Sequence, residues 1–168
     1  MQRQVVRRAE RGWEGVEREG YVPGVASAVV RHTLVGRRKA APDEPGPTME
    51  ARYFELPPGT VTRLEKHEHE HVVIVGEGRG LAIVGSAVRE IGPHDVVYTA
   101  PWEPHQFVNR SDATFGIFCI VPAYRDISQR LSEDELACLR ASPAGAYADP
   151  DGAPPPRPAL AASERSAS

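Results

Sequence analysis

Half of the six histidines fall within five residues, in the run Glu65-Lys66-His67-Glu68-His69-Glu70-His71 that leads into Val72-Val73-Ile74-Val75. Imidazoles and carboxylates spaced this closely are ligands for a transition metal. In an extended chain Glu65, His67, His69 and His71 project to one face, and Lys66, Glu68 and Glu70 to the other. A helix would bring together only His67 and His71. The β-branched run bounded by Gly76 and Gly78 favours the strand, starting near His71. The bland alternative is a charged edge strand that carries no metal. His105 follows the turn Pro101-Trp102-Glu103-Pro104 and opens another strand-like run. Laid opposite His67 and His71 inside a barrel, it is the natural fourth ligand.

The elements that must bring these residues together are short and regularly spaced. From Glu50 onward, strand patterns run over 52–56, 61–71, 72–75, 80–84, 87–91, 95–99, 105–109 and 114–121, separated by Gly and Pro turns. Such a succession predicts an all-β sandwich or barrel. Val5, Val6, Ala9, Trp13 and Val16 lie near helical spacing, so a short helix over Gln4 to Arg18 is expected, anchored by Trp13. Val25 to Val35 reads as a strand or strand pair, before a proline-rich loop at 42–47. Ser132 and Glu135 form a capping box that opens a C-terminal helix. The expected organisation is an N-terminal helical segment over 1–24, the barrel over 25–128 with its motif core at 50–121, a helix over 129–142 and a disordered tail over 143–168.

With 168 residues, 40% of them hydrophobic, the chain suffices for one domain with a real core. No apolar stretch approaches the roughly 20 residues of a membrane span, and a soluble, cytoplasmic protein is expected. The net charge of -3, with basic residues mixed among acids, argues against nucleic acid as a partner. Cys119 and Cys138 show no metal-binding Cys-x-x-Cys spacing and read as reduced and structural; Cys119, between Phe118 and Ile120, is read as a small core residue rather than a nucleophile.

The histidine frame resembles the cupin family, whose first motif is G-x5-H-x-H-x3,4-E-x6-G and whose second is G-x5-P-x-G-x2-H-x3-N. Gly59, Glu65, His67, His71 and Gly78 reproduce the first spacing, with Glu at the first His position and His at the Glu position. His94, Ala100, Trp102, His105 and Asn109 reproduce the second, with only its His and Asn kept. The resemblance covers about Glu50 to Val121. It implies a single jelly-roll-like β-barrel around one divalent metal ion, Fe(II) favoured and Mn, Ni, Zn or Cu also suited to the donors. Carried over by position, the ligands are Glu65, His67, His71 and His105. The alternative frame makes His67, His69 and His71 ligands and leaves Glu65 as a general base, so Glu65 and His69 compete for the last place.

By strand parity Arg63 and Phe107 are candidates to line the cavity. Tyr98 and Trp102 offer an aromatic wall or else ordinary core or rim packing. Arg63 would hold an anionic group of the substrate or pair with a surface acid at the barrel mouth. The function expected first is a metal-dependent enzyme, most concretely an Fe(II) oxygenase of a small organic substrate, with Glu65 or His69 moving a proton. The alternatives are an oxygen-independent isomerase, cyclase or lyase, and a non-catalytic small-molecule-binding cupin. A homodimer is expected, with Val25 to Val35 as its edge-pairing element.

Overall fold

The computed structural model describes residues 5–21, 28–36, 45–125 and 127–152. Nine strands follow in chain order: β1 (Glu19–Gly20), β2 (Val30–Val35), β3 (Met49–Leu56), β4 (His71–Glu77), β5 (Gly80–Val84), β6 (Ala87–Ile91), β7 (Val96–Thr99), β8 (His105–Val108) and β9 (Phe115–Pro122). A six-stranded sheet has the order β1-β2-β3-β9-β4-β7, and a three-stranded sheet the order β6-β5-β8. The paired strands are antiparallel. The expected all-β barrel is present.

Period-two alternation makes the interior. In β4, His71, Val73 and Val75 are buried while Val72 and Ile74 are only half-buried. Register then sets two rows across the large sheet, Arg52–Cys119–Val73 and Phe54–Ile117–Val75. The second of these rows meets Ala82 and Phe107 of the small sheet in one core. Gly78 closes the turn from β4 to β5 with φ +71°, where a Cβ would lie 2.1 Å from the Thr114 carbonyl oxygen. Only glycine fits there.

The outer face of the small sheet is covered too. Leu81, Ile83 and Val108 pack with Leu131, Leu139, Ala144 and Tyr147, which come from the helix α1 (Glu133–Arg140), a 3₁₀ turn at Pro143–Ala146 and the residues flanking them. The capping box opens α1 as expected, Ser132 accepting the Glu135 N–H and Glu135 accepting the Ser132 N–H. Within the stretch expected to be a disordered tail, residues 143–152 instead dock on the barrel. Gln106, fully buried on β8, donates to the Asp149 carbonyl at 2.7 Å and accepts the Asp149 N–H at 2.8 Å. One buried amide side chain thus holds a segment that composition alone marks as unstructured; residues 153–168 lie outside the described residues.

The N-terminal helix is replaced by an irregular hairpin. An isolated bridge joins Arg8 and Trp13, and Gly12 and Gly15 take φ of +79° and +63°, which a right-handed helix cannot contain. Trp13 does anchor the segment, edge-on to Tyr53 at 5.5 Å and to Phe118 at 5.7 Å. The described part of Val25 to Val35 is not a sheet edge, since β2 lies between β1 and β3. Among the described residues no helix is long and apolar enough to cross a membrane.

Candidate metal centre

The run expected to be one extended ladder is a corner. Glu65 bridges His105, Lys66 bridges Gln129, the chain bends at Glu68 and His69, and β4 begins at His71. The bend leaves the parity set together. Ligand atoms of His67, His69 and His71 lie within 4.8 Å of one another, as do those of Glu65, His67 and His105. His67, shared by the two groups, has its ring centroid 4.4 Å from His71 and 4.7 Å from His105.

Backbone carbonyls aim two of the rings. His67 Nδ1 is 2.6 Å from the His69 carbonyl oxygen and His105 Nδ1 is 2.9 Å from that of Glu103. With Nδ1–H donating to a carbonyl, each ring turns Nε2 inward with its lone pair, the outer support that metal-bound imidazoles use. Two backbone bonds between Glu65 and His105, 3.2 and 3.0 Å, fix that pair. His71 points Nδ1 at Cys119 Sγ, 3.6 Å away, and Nε2 at His69 Nε2, 3.2 Å away. His69 stacks on His67, ring centroids 3.6 Å apart.

Strained turns deliver these contacts. His94 and Trp102, at the two positions where the second motif has glycine, have φ of 76° and 63°. Non-glycine residues enter that region only where surrounding bonds hold them. The Trp102 N–H donates to the His67 carbonyl at 2.7 Å, and the His94 N–H to that of Val75 at 2.9 Å. Asn109, fully buried, donates to the Leu56 and Ala113 carbonyls at 2.7 and 2.8 Å and fixes the loop after β8.

Burial pushes the His71 imidazole far below its ordinary pKa, and the positive charge of Arg52 adds to the effect. Burial likewise lowers His105. Both therefore stand as neutral bases near pH 7, the form that ligates metal. Neutral imidazoles beside the Glu65 carboxylate form a donor set that fits a divalent ion of the Mn to Zn series.

The centre opens on a cavity of about 380 Å³, counting its mouth, and Glu65, His71 and His105 line one side of it. Arg63 and Phe107 line it as expected. Tyr98 and Trp102 do not: they are 53% and 46% exposed. On β7 it is Thr99 that is buried, so Tyr98 faces outward, where its hydroxyl donates to Glu70. Trp102 contributes its backbone rather than its ring.

Cys119 is buried in the core as expected and also lines this cavity, and Arg52 lies beside it, its Nη2 donating to the sulphur at 2.9 Å. Arg52 was legible in principle, because it shares the parity of Phe54 and Leu56 on β3. Tyr21 also lines the cavity, and no local pattern announces it, since β1 and β2 carry it there.

A family model described as the cupin domain matches residues 52–121. A 1-methylthio-D-xylulose 5-phosphate methylsulfurylase from Rhodospirillum rubrum is 46% identical over 99 residues, which are 59% of this chain and 64% of that protein's length. The crystal structure of a cupin-2 domain from Rhodospirillum rubrum superposes with a TM-score of 0.69 at 38% identity, covering 81% of this chain and 88% of that one. A polyketide cyclase from Streptomyces resistomycificus superposes with a TM-score of 0.58 at 26% identity, covering 78% and 90%.

Proposed function

Because the chain belongs to the cupin family, we propose that its histidine cluster holds one divalent transition metal ion, and that the protein is an enzyme acting without molecular oxygen on a small anionic carbonyl compound. The substrate class is a ketose phosphate with a sulphur substituent, as in the name of the 46% identical relative. One observation carries the reading: Arg52, Arg63 and Cys119 line the same cavity as Glu65, His71 and His105. A cavity built for apolar substrates would not bring two guanidinium groups and a thiol to a metal centre.

A divalent ion bound by His67, His71, His105 and Glu65 or His69 supplies Lewis acidity toward a substrate oxygen. The remaining tasks fall to the chain itself. Arg63, exposed at the mouth, meets the anionic end of the substrate, and Arg52, buried on the wall, faces the negative charge that develops as a carbonyl becomes an enolate. Glu65 takes or returns the proton next to that carbonyl when His69 completes the ligand set. Phe54, Val73, Phe107 and Ile117 exclude water from the reacting carbons.

The Fe(II) oxygenase is the second reading, favoured by imidazole-rich ligation that leaves coordination positions open. Oxygen separates the two. Protein loaded with Mn(II) or Fe(II), with dithiothreitol present, should consume 1-methylthio-D-xylulose 5-phosphate equally fast in air and under strict anaerobiosis, followed by mass spectrometry. Consumption only in air, matched by O₂ uptake, overturns the first reading in favour of the second. No consumption under either condition overturns the substrate class.

A further inference from the structure

We propose that the Glu103 side chain is a positioning residue of the metal centre: it closes the turn Ala100-Pro101-Trp102-Glu103, which holds the His67 backbone and aims the His105 ring. The proposal rests on the metal reading above. The second motif leaves position 103 open, so the family pattern does not call for a glutamate there.

Two successive residues of this turn reach both ligand-bearing segments. The Trp102 N–H donates to the His67 carbonyl at 2.7 Å, and His105 Nδ1 is 2.9 Å from the Glu103 carbonyl oxygen. A rotation of the backbone at 102–103 would therefore disturb both ligands at once. The turn is also strained. Proline at its second place and a φ of 63° at its third follow the pattern of a type II turn, whose third place belongs to glycine. A tryptophan stays there only while surrounding bonds hold it. Glu103 supplies two of those bonds, its N–H donating to the Ala100 carbonyl at 3.2 Å and its Oε2 accepting the Ala100 N–H at 3.3 Å. Almost any residue could make the first; the second needs this side chain. The neighbouring turn accommodates it. At Gly85 a Cβ would lie 3.0 Å from Glu103 Oε1, and the Gly85 N–H donates to the Pro104 carbonyl at 2.8 Å.

The test titrates the full chain with Co(II) alone and follows the cobalt visible bands, which report occupancy and ligand geometry together. Glu103→Ala should bind Co(II) about tenfold more weakly and with shifted bands, the loss expected when support outside the ligands is removed. Glu103→Gln keeps an oxygen able to accept the Ala100 N–H and should bind within about twofold of the native chain. Trp102→Gly relaxes the turn, so in that background Glu103→Ala should cost about twofold or less. Native affinity and native bands in Glu103→Ala overturn the proposal and leave the metal reading intact. An equal loss in Glu103→Gln overturns it too, since the charge and not the turn bond would then matter. So does an equal loss in the Trp102→Gly background, which would make Glu103 a general support of the fold. Should Glu103→Ala fail to fold, the doubly substituted chain decides by the same comparison with Trp102→Gly. Failure of the native chain to bind Co(II) overturns both this proposal and the metal reading.

Discussion

Two buried polar clusters lie on either side of Arg52, and they are satisfied in opposite ways. Around Glu50, which is fully buried, the chain supplies its own counter-charges: Arg31 is paired with it, Arg125 Nη1 lies 3.0 Å away and Arg52 Nε 3.8 Å away. Around His67 the chain gathers neutral bases, with Glu65 as the one carboxylate among the grouped donors. The first cluster is complete as a set of ion pairs. The second aims the His67 and His105 rings by Nδ1 bonds to backbone carbonyls and gathers ligand atoms within 4.8 Å of one another in two groups that share His67. That contrast separates structure from function: a buried charge kept for folding brings its partner with it, whereas converging lone pairs call for a cation from outside. Arg52 joins the two, bonded to Cys119 on the cavity side and facing Glu50 on the other.

Removing the centre of each cluster should therefore break different properties. Glu50→Ala removes the carboxylate that three guanidinium groups share, two of them buried, and should cost about 3–5 kcal/mol in urea unfolding. Its native fraction should still bind metal. Loss of metal binding in folded Glu50→Ala would mean that the two clusters are one unit and the contrast is false.

His105→Ala should do the reverse. At metal concentrations of about 1,000 times the native dissociation constant, the ion should add about 4 kcal/mol to the stability of the native protein. A 100-fold loss of affinity on deleting a ligand would cut that increment to about 1.4 kcal/mol. Unfolding of both proteins with and without chelator measures it. An undiminished increment in His105→Ala removes the second motif from the centre.

The histidine cluster was legible because parity survives a bend: the chain turns at Glu68 and His69, yet the alternate residues still converge. The second motif was harder to read, since His94 and Trp102 stand where it has glycine. Their positive φ values show that the backbone takes the conformation glycine favours although the side chains differ, so geometry carries what residue identity obscures. Tyr98 and Trp102 were offered as a cavity wall for their aromatic rings alone; parity assigns a face only within a strand, and Trp102 lies in the turn between β7 and β8. For Tyr98 the strand's own alternation gives the outward face. The N-terminal hairpin and the docked 143–152 segment depend on Trp13 against Tyr53 and on Gln106 against Asp149, contacts between residues far apart in sequence. Local pattern carries no record of them.

The smallest expected effect tests whether support for the metal centre extends beyond the carbonyls that aim its rings. Lys66, next to His67, is paired with Glu135 of α1, both side chains partly exposed. The Lys66 ammonium's hydrogen bond, with Ser132 adding to it, lowers the Glu135 pKa to about 2. A carboxylate depressed in the folded state contributes stability that is complete above its unfolded value, about 4.3, and that is lost as pH falls from there through the folded value. Glu135→Gln keeps a capping residue at that helix position and removes only the charge. At pH 7 it should lose no more than about 1 kcal/mol, because solvent screens an exposed pair. The difference from the native protein should shrink with added salt and vanish as pH falls from about 4 to 2. Metal affinity should not change, because His67 is oriented by the carbonyl of His69 and by Trp102 rather than by the neighbouring lysine. A weakening of metal binding in Glu135→Gln would instead make α1 part of the machinery that positions the first ligand.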